Sequence, residues 1–480
     1  MSASQKNNIG KSIFIDGMSL VIPFKSGVGV ALDNTIKSLS NIIDDTCEIK
    51  ILVTLFKKRY LAEYDNYKNV SVKTLPLPAK IMEALLRLRL MLPIDLIVGE
   101  GIYVFPNYKN WPLWKSPSVT YFHDLAFMRY PQYIQPKNLK YLQKYIKTWA
   151  FRTQVIIAIS EFTKKEIAKL IGYPYDNINV VYLGVNKSHF YRRSKEEIET
   201  AKKKYNITYD KYLLFVGNIE PRKNLESLVD AYVNLPKRLK KTYGLVLVGG
   251  DGWLNEQIIK TIKKLKSLDE KIFIPDKIIS NQDLPAIYSG SDLFIQPSYY
   301  EGFSMTPLEA MSCSVPVLVS DIPPHREVVG DAGYYFRPES AKEMTNEIKK
   351  AIANYAQTQK KVSLGIKRSE IFTWENTAKQ LFNVLDLVAT NIDTRGPIIR
   401  RLIVIYNKCD LSIRKLLGEN KLEPYRLGSN LDNKEEIKAR LVSDYIDEEP
   451  NLIQKSGLVI YLRLRHIIAS PVKHILKRLC

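Results

Sequence analysis

Short apolar runs alternate with amphipathic stretches along the first 390 or so residues. The run SIFID at 12–16 is followed by a glycine-containing turn and a helical pattern from about Val30 to Ile43. Further apolar runs lie at 49–56, 94–99, 119–123 and 155–160, and the last leads directly into the helical stretch EFTKKEIAKLIG. Near-continuous apolar runs between amphipathic helices predict a parallel sheet covered on both faces. Around 191–210 the chain turns polar and charged, as a surface linker carrying a helix would. The pattern then restarts at 212–217, 244–250, 271–274, 292–298 and 316–321. The expected architecture is α/β, with two doubly wound domains at 1–205 and 206–390. A helix from about Trp374 to Ala389 is expected to close the second. The stretch 391–480 lacks the strand–helix rhythm and reads as a basic, partly amphipathic helical extension.

Composition changes this picture little, and charge changes it more. Hydrophobic residues make up 45% and charged residues 25%, which excludes a mainly disordered chain or a fibre. No apolar stretch approaches the ~18 residues that a membrane-spanning helix needs. The polar start MSASQKNNIGKS offers no secretory apolar region. The four cysteines are scattered, without a C-x-x-C pair, and read as reduced thiols of a cytosolic protein. The net charge of +21 favours anionic partners: phosphorylated substrates, acidic lipid or nucleic acid. No RNA-binding signature is present, so nucleic acid is not expected.

In open parallel sheets ligands bind outside the carboxyl ends of the strands, so chemistry is sought just after the apolar runs. The strongest pattern is YEGFSMTPLEAMS, where seven residues separate Glu301 from Glu309 directly after a strand. Gly302 can supply a tight turn. The helix starting near Ser304 aims free N–H groups and partial positive charge at the cleft, which suits a phosphate. Glu301 could accept from sugar hydroxyls, and Glu309 from a pair of ribose hydroxyls. In FVGNIEPRKNLESLV, Arg222 and Lys223 sit where the loop meets a helix with Asn224 as a good N-cap. Two cations there could neutralise a diphosphate. His123 follows the run VTYF and can serve a hydroxyl or a developing charge, and Gly27 and Gly29 permit close backbone approach to a phosphate. No D-x-D occurs, so the paired-carboxylate grip on a metal–nucleotide is missing and no metal is expected. The Gly10-Lys11-Ser12 triplet precedes its strand, against a P-loop.

The succession GNIEPRKN, GLVLVGGDG and DLPAIYSGSDLFIQPSYYEGFSMTPLEAMSCSVPVLVSDIPPHREVVGDAGYYF resembles the group 1 (family 4) retaining glycosyltransferases. The upstream VTYFHDLAFMRYPQYIQP and VIIAISEFTKKEIAKLIG resemble the branch with bacterial surface-polysaccharide mannosyltransferases. The likeness runs from about Ser12 to Ala389. It implies the GT-B architecture, with an acceptor-side domain followed by a nucleotide-sugar domain. It also implies catalytic roles for His123 and Glu301. Gly27, Gly29, Arg222, Lys223, Gly302, Phe303, Ser304 and Glu309 would bind the donor. Ser304 and Ser314 stand where glycines are common in the family, and IPDK at 274–277 lacks a usual glycine.

The expected activity is transfer of a hexose or deoxyhexose, mannose-type, from a nucleoside diphosphate to a hydroxyl of a growing, lipid-linked glycan. Retention and metal independence are expected, with the nucleotide sugar as co-substrate and no cofactor. The rivals are a nucleotide-sugar epimerase of similar architecture and a non-enzymatic basic binding protein. Six Lys/Arg and no acid lie in 455–480. With the leucine-rich KIMEALLRLRLML at 80–92, they suggest an anionic membrane surface as partner. The expected location is cytoplasmic, peripheral on the inner face of the plasma membrane.

Overall fold

The computed structural model describes residues 12–390 except 23–25, 88–89, 251, 254 and 268–269. The extension expected at 391–480, Lys25 beside the glycine pair, and Arg89 in the leucine-rich stretch lie outside the described residues. Two parallel sheets are present within one compact unit. The first holds β1 (Ser12–Asp16), β2 (Glu48–Thr54), β3 (Val70–Leu75), β4 (Ile102–Phe105), β5 (Ser118–Phe122), β6 (Val155–Ala158) and β7 (Ile178–Val180). Its order is β3-β2-β1-β4-β5-β6-β7. The second holds β8 (Lys211–Val216), β9 (Tyr243–Val248), β10 (Ile272–Phe273), β11 (Leu293–Gln296), β12 (Val317–Ser320) and β13 (Gly333–Phe336), in the order β10-β9-β8-β11-β12-β13. Every pairing is parallel, as the apolar runs require. The order reverses beside β1 and β4 in one sheet and beside β8 and β11 in the other. Those reversals open the crevices where such sheets bind ligands.

The run at 94–99 forms no strand. Asp95–Val98 is a helical turn, and the buried Asp95 carboxylate accepts from the N–H groups of Trp114, Lys115 and Ser116 at 2.7–2.9 Å. Backbone bonds from Val98 and Gly99 N–H to Ile94 and Asp95 O close the turn, and the carboxylate anchors it to the loop at 114–116.

The helix Trp374–Thr390 also departs from expectation. It packs on the helix Gly27–Ser40 of the first sheet instead of closing the second. The chain therefore crosses between the halves twice, and the crossings lie side by side. Val185 N–H donates to Phe372 O at 2.9 Å, and Thr377 Oγ1 donates to Tyr182 O at 2.7 Å. A Cβ on Gly184 would come within 2.3 Å of Trp374 N, so only glycine allows this approach. One apolar layer continues from Leu39 and Ile51 through Leu183 and Phe372 to Leu381 and Leu214. Among the described residues no helix is long and apolar enough to cross a membrane.

Ser314, just past the helix Met305–Ser312, adopts φ 60°, a left-handed conformation that favours glycine. Ser314→Gly should therefore stabilise the protein by about 0.5–1 kcal/mol, the αL strain relieved less the added backbone entropy. Denaturant unfolding of the two proteins checks this, and a destabilised variant would contradict it.

Candidate active site at the switch point of the second sheet

Two loops meet beyond the carboxyl ends of β8 and β11. After β8 the chain passes Gly217 and tightens into a 3₁₀ turn, Pro221–Lys223, before the helix Leu225–Val233. Asn224 occupies the N-cap position in a left-handed conformation (φ 56°) but makes no capping bond, contrary to expectation. Its Nδ2 instead donates to Pro297 O at 3.1 Å and Pro338 O at 2.8 Å, which ties the β8 loop to the loop after β11.

That tie sets Arg222 and Lys223 beside Glu301. Glu301 Oε1 accepts from Lys223 Nζ at 2.7 Å, Ser298 Oγ at 2.6 Å and Gln296 Nε2 at 3.0 Å. Oε2 accepts from Arg222 Nη1 at 2.9 Å and retains acceptor capacity. The other Arg222 terminal nitrogen donates to Glu220 Oε1 at 2.6 Å. Burial alone would raise the Glu301 carboxyl, but Lys223 and Arg222 outweigh it and hold the carboxyl well below its ordinary range. Two carboxylates thus balance two cations in a largely buried cluster.

Gly302 follows, and a Cβ there would lie 1.7 Å from His123 O. The sequence-predicted His123 and Gly302 therefore meet, but through their backbones. The His123 ring donates from Nε2 to Pro106 O at 2.7 Å, and burial lowers its pKa, so the imidazole is neutral with Nδ1 free to accept. The ring of Phe303 is packed against Tyr182 and Phe372, so any donor contact falls to its backbone. Ser304 opens the helix Met305–Ser312 with a buried Oγ that has no hydrogen-bond partner. Orphan N–H groups and an unsatisfied hydroxyl together suit an oxyanion.

Glu309, half-buried one turn into that helix, accepts from Tyr288 Oη at 2.8 Å. Burial pushes its carboxyl up to about 7 against that hydrogen bond. No described hydrogen bond joins it to the Glu301 cluster. Gly27 and Gly29 lie in the first turn of Gly27–Ser40, not in the preceding loop, and Ser26 caps that helix by accepting from Gly29 N–H at 3.4 Å. A Cβ on Gly27 would meet nothing within 4 Å, so local packing does not demand glycine there. Among the described residues no three His, Cys, Asp or Glu side chains gather to hold a metal ion.

Sequence reasoning missed Glu220, Gln296, Ser298, Tyr288 and His325. Gln296 and Ser298 were visible as polar positions two apart at the end of the apolar run FIQPS. His325 is fully buried, its Nδ1 donates to Ser320 O at 2.8 Å, and burial pushes its pKa down to about 4. Its Nε2 has no partner.

Removing the central anion should be costly. Glu301→Gln leaves two buried cations with one acid, a loss of ~3–5 kcal/mol. A depressed carboxyl stabilises above its unfolded pKa, so the gap between parent and variant should persist at neutral pH. It should shrink as pH falls below about 4. Added pyrophosphate should raise the melting temperature of the variant more than that of the parent, because it supplies the missing anion. Equal melting temperatures of parent and variant at pH 7 would contradict the cluster.

The family model described as Glycosyltransferase Family 4 matches residues 27–189, and that described as Glycosyl transferases group 1 matches 197–367. The chain is 31% identical over 295 residues to the O-antigen chain mannosyltransferase B of Escherichia coli, covering 60% of this chain and 75% of that one. It is 30% identical over 272 residues to the serotype-specific mannosyltransferase WbdA of Escherichia coli, but spans only 32% of that longer protein. Among solved structures, Anabaena HepE in complex with UDP and glucose superposes with a TM-score of 0.60 at 18% identity, over 79% of this chain and all of that one. That likeness carries the fold, which is GT-B: two Rossmann-like sheets facing each other, as expected. By its matched domains and its identity to the O-antigen enzyme, the chain belongs to the group 1, family 4 glycosyltransferases.

Proposed function

We propose that the protein is a retaining, metal-independent hexosyltransferase. It moves a hexose or deoxyhexose, mannose-type, from a nucleoside diphosphate to a hydroxyl of a growing, lipid-linked surface glycan. The observation that carries this reading is the Arg222–Lys223–Glu301 cluster at the β8/β11 reversal, beside the unsatisfied Ser304 hydroxyl. In this reading the diphosphate binds where Arg222, Lys223 and the start of Met305–Ser312 converge. There they stabilise the charge that develops as the sugar leaves, the part a metal plays elsewhere. The free acceptor capacity of Glu301 Oε2 orients the sugar, and Glu309 takes ribose hydroxyls in company with Tyr288. His123, neutral, offers Nδ1 to a sugar hydroxyl, and the helix turn that holds Gly27 and Gly29 takes the phosphate side, with open space beside Gly27. Retention rests on the family resemblance. The mannose-type donor and glycan acceptor rest on the O-antigen relative, and the nucleotide donor is in keeping with HepE, whose structure holds UDP and glucose.

The test is a screen of nucleotide sugars with acceptor extract in EDTA, read by mass spectrometry. A mannose-type product formed in EDTA is expected, and loss of transfer on chelation, restored by Mg²⁺, would refute metal independence. Glu309 sets a second expectation for the same donors. Ribose hydroxyls bind its ionised form, so affinity should rise with pH up to about 7 and level off above. Glu309→Ala should lose that dependence and ten- to a hundred-fold of affinity, the worth of a charge-assisted bond.

We also place the protein on the inner membrane surface. In the helix Ala79–Arg87, Met82 is buried while Ile81 is exposed, and Leu90 and Leu92 beyond it are 66% and 68% exposed. With the basic residues of 455–480 this gives apolar contact plus attraction of up to about 1 kcal/mol per cation near anionic lipid. Co-sedimentation with anionic vesicles should be salt-sensitive and should fall on removal of 455–480 and again with Leu90→Ser/Leu92→Ser. Equal sedimentation by all forms would reject both segments.

A further inference from the structure

The segment that carries Glu301 is held from the opposite sheet. Gly302 O accepts from Ser160 Oγ at 2.6 Å and Thr163 Oγ1 at 3.2 Å, and both hydroxyls are fully buried. Ser160 and Thr163 belong to the first turn of the helix Glu161–Ile171, which follows β6. Ser160 is its N-cap and accepts from Thr163 N–H at 3.0 Å. The two remaining N–H groups of that turn are met from the second sheet. Glu327, on the helix Pro323–Val329 after β12, accepts from Glu161 N–H at 2.7 Å and Phe162 N–H at 3.2 Å. A carboxylate at a helix N-terminus gains from both the charge-assisted bonds and the dipole. Tyr182, at the first crossing, lies beside the Glu327 carboxylate, and Arg368 Nε donates to Val328 O at 2.9 Å, fixing the backbone beside it. On the far side, Leu125 N–H donates to Tyr300 Oη at 3.0 Å, one residue before Glu301.

One helical turn of the first sheet therefore touches the second sheet at two places, the Glu327 carboxylate and the Gly302 carbonyl. We propose that Glu327 is a positioning residue for Glu301: by seating the start of Glu161–Ile171 it holds the Ser160 and Thr163 hydroxyls against Gly302, so that Glu301 is set for the sugar only when this clasp is shut. The inference rests on the role given to Glu301 under the proposed function. Glu327, Ser160 and Thr163 reach Glu301 only through the Gly302 backbone, so the effect is on geometry. Binding of the nucleotide part, held by the second sheet, should be spared. Turnover should fall.

The experiment compares the full-length protein with Glu327→Ala and Glu327→Gln by hydrogen exchange and by transfer kinetics. A cap that serves only its own helix would change exchange at 160–164 alone. The clasp predicts that Glu327→Ala also speeds exchange at 299–304 about ten-fold. It further predicts that turnover drops about ten-fold and that UDP or GDP affinity, whichever the parent binds, stays within about two-fold, with Glu327→Gln recovering most of both losses. Exchange confined to 160–164, or turnover within two-fold of the parent, overturns the proposal. If the parent transfers no sugar at all, the proposed function fails, and the exchange comparison alone still decides whether Glu327 orders the Gly302 segment.

Discussion

Two adjacent, largely buried cations in the loop after a strand need an anion, because burying them unpaired is strongly destabilising. Here the anion is Glu301, which takes Lys223 on one oxygen and Arg222 on the other while Gln296 and Ser298 complete its shell. Much of the local structure serves that balance. The 3₁₀ turn presents both cations on one side, Asn224 ties their loop to the β11 loop, and polar residues interrupt an otherwise apolar strand end. With Glu220 the cluster is neutral before any ligand arrives. If a diphosphate binds there, as proposed, it would meet donors whose orientation is already fixed, which is the condition under which electrostatic stabilisation is strong.

Topology decides where this happens. The sheet order reverses between β8 and β11, where such sheets open a crevice for ligands, and the loops after both strands meet at its floor. The first sheet then closes over that crevice by backbone contact. Gly302 is set against the His123 carbonyl on one side and the Ser160 and Thr163 hydroxyls on the other. The clasp through Glu327 adds a charged contact on the same helical turn. Packing, hydrogen bonding and charge thus converge on three consecutive residues, Glu301 to Phe303, whose side chain, missing side chain and ring each do a different task.

The sheets were largely legible because buried parallel strands are apolar on both faces. Four strands were not: β3 at the sheet edge and the three-residue β7 lack the continuous apolar signature, and the four-residue β4 and β13 escape notice by their shortness although they are mainly buried and apolar. The run at 94–99 misled for the opposite reason, since it is apolar yet coils into a turn whose carboxylate is used up by three N–H groups of the loop at 114–116. In the site, the charged residues stood out by type and by their place after strands. Their partners did not. Glu220, Tyr288 and His325 acquire meaning only through contacts between segments far apart in sequence. The same holds for Trp374–Thr390, whose amphipathic pattern shows that it is a packed helix but not which sheet it covers.

The paired crossings carry a consequence for how such a chain can vary. The path leaves the first half near Val185 and re-enters it at Phe372, and those points are hydrogen-bonded to each other. The second half is therefore an excursion whose ends already touch. Segments with adjoining ends can be excised, permuted or exchanged with small disturbance to their surroundings. The polypeptide is built like a cassette holder, in which the second sheet and its helices form an insert whose two ends meet at Gly184.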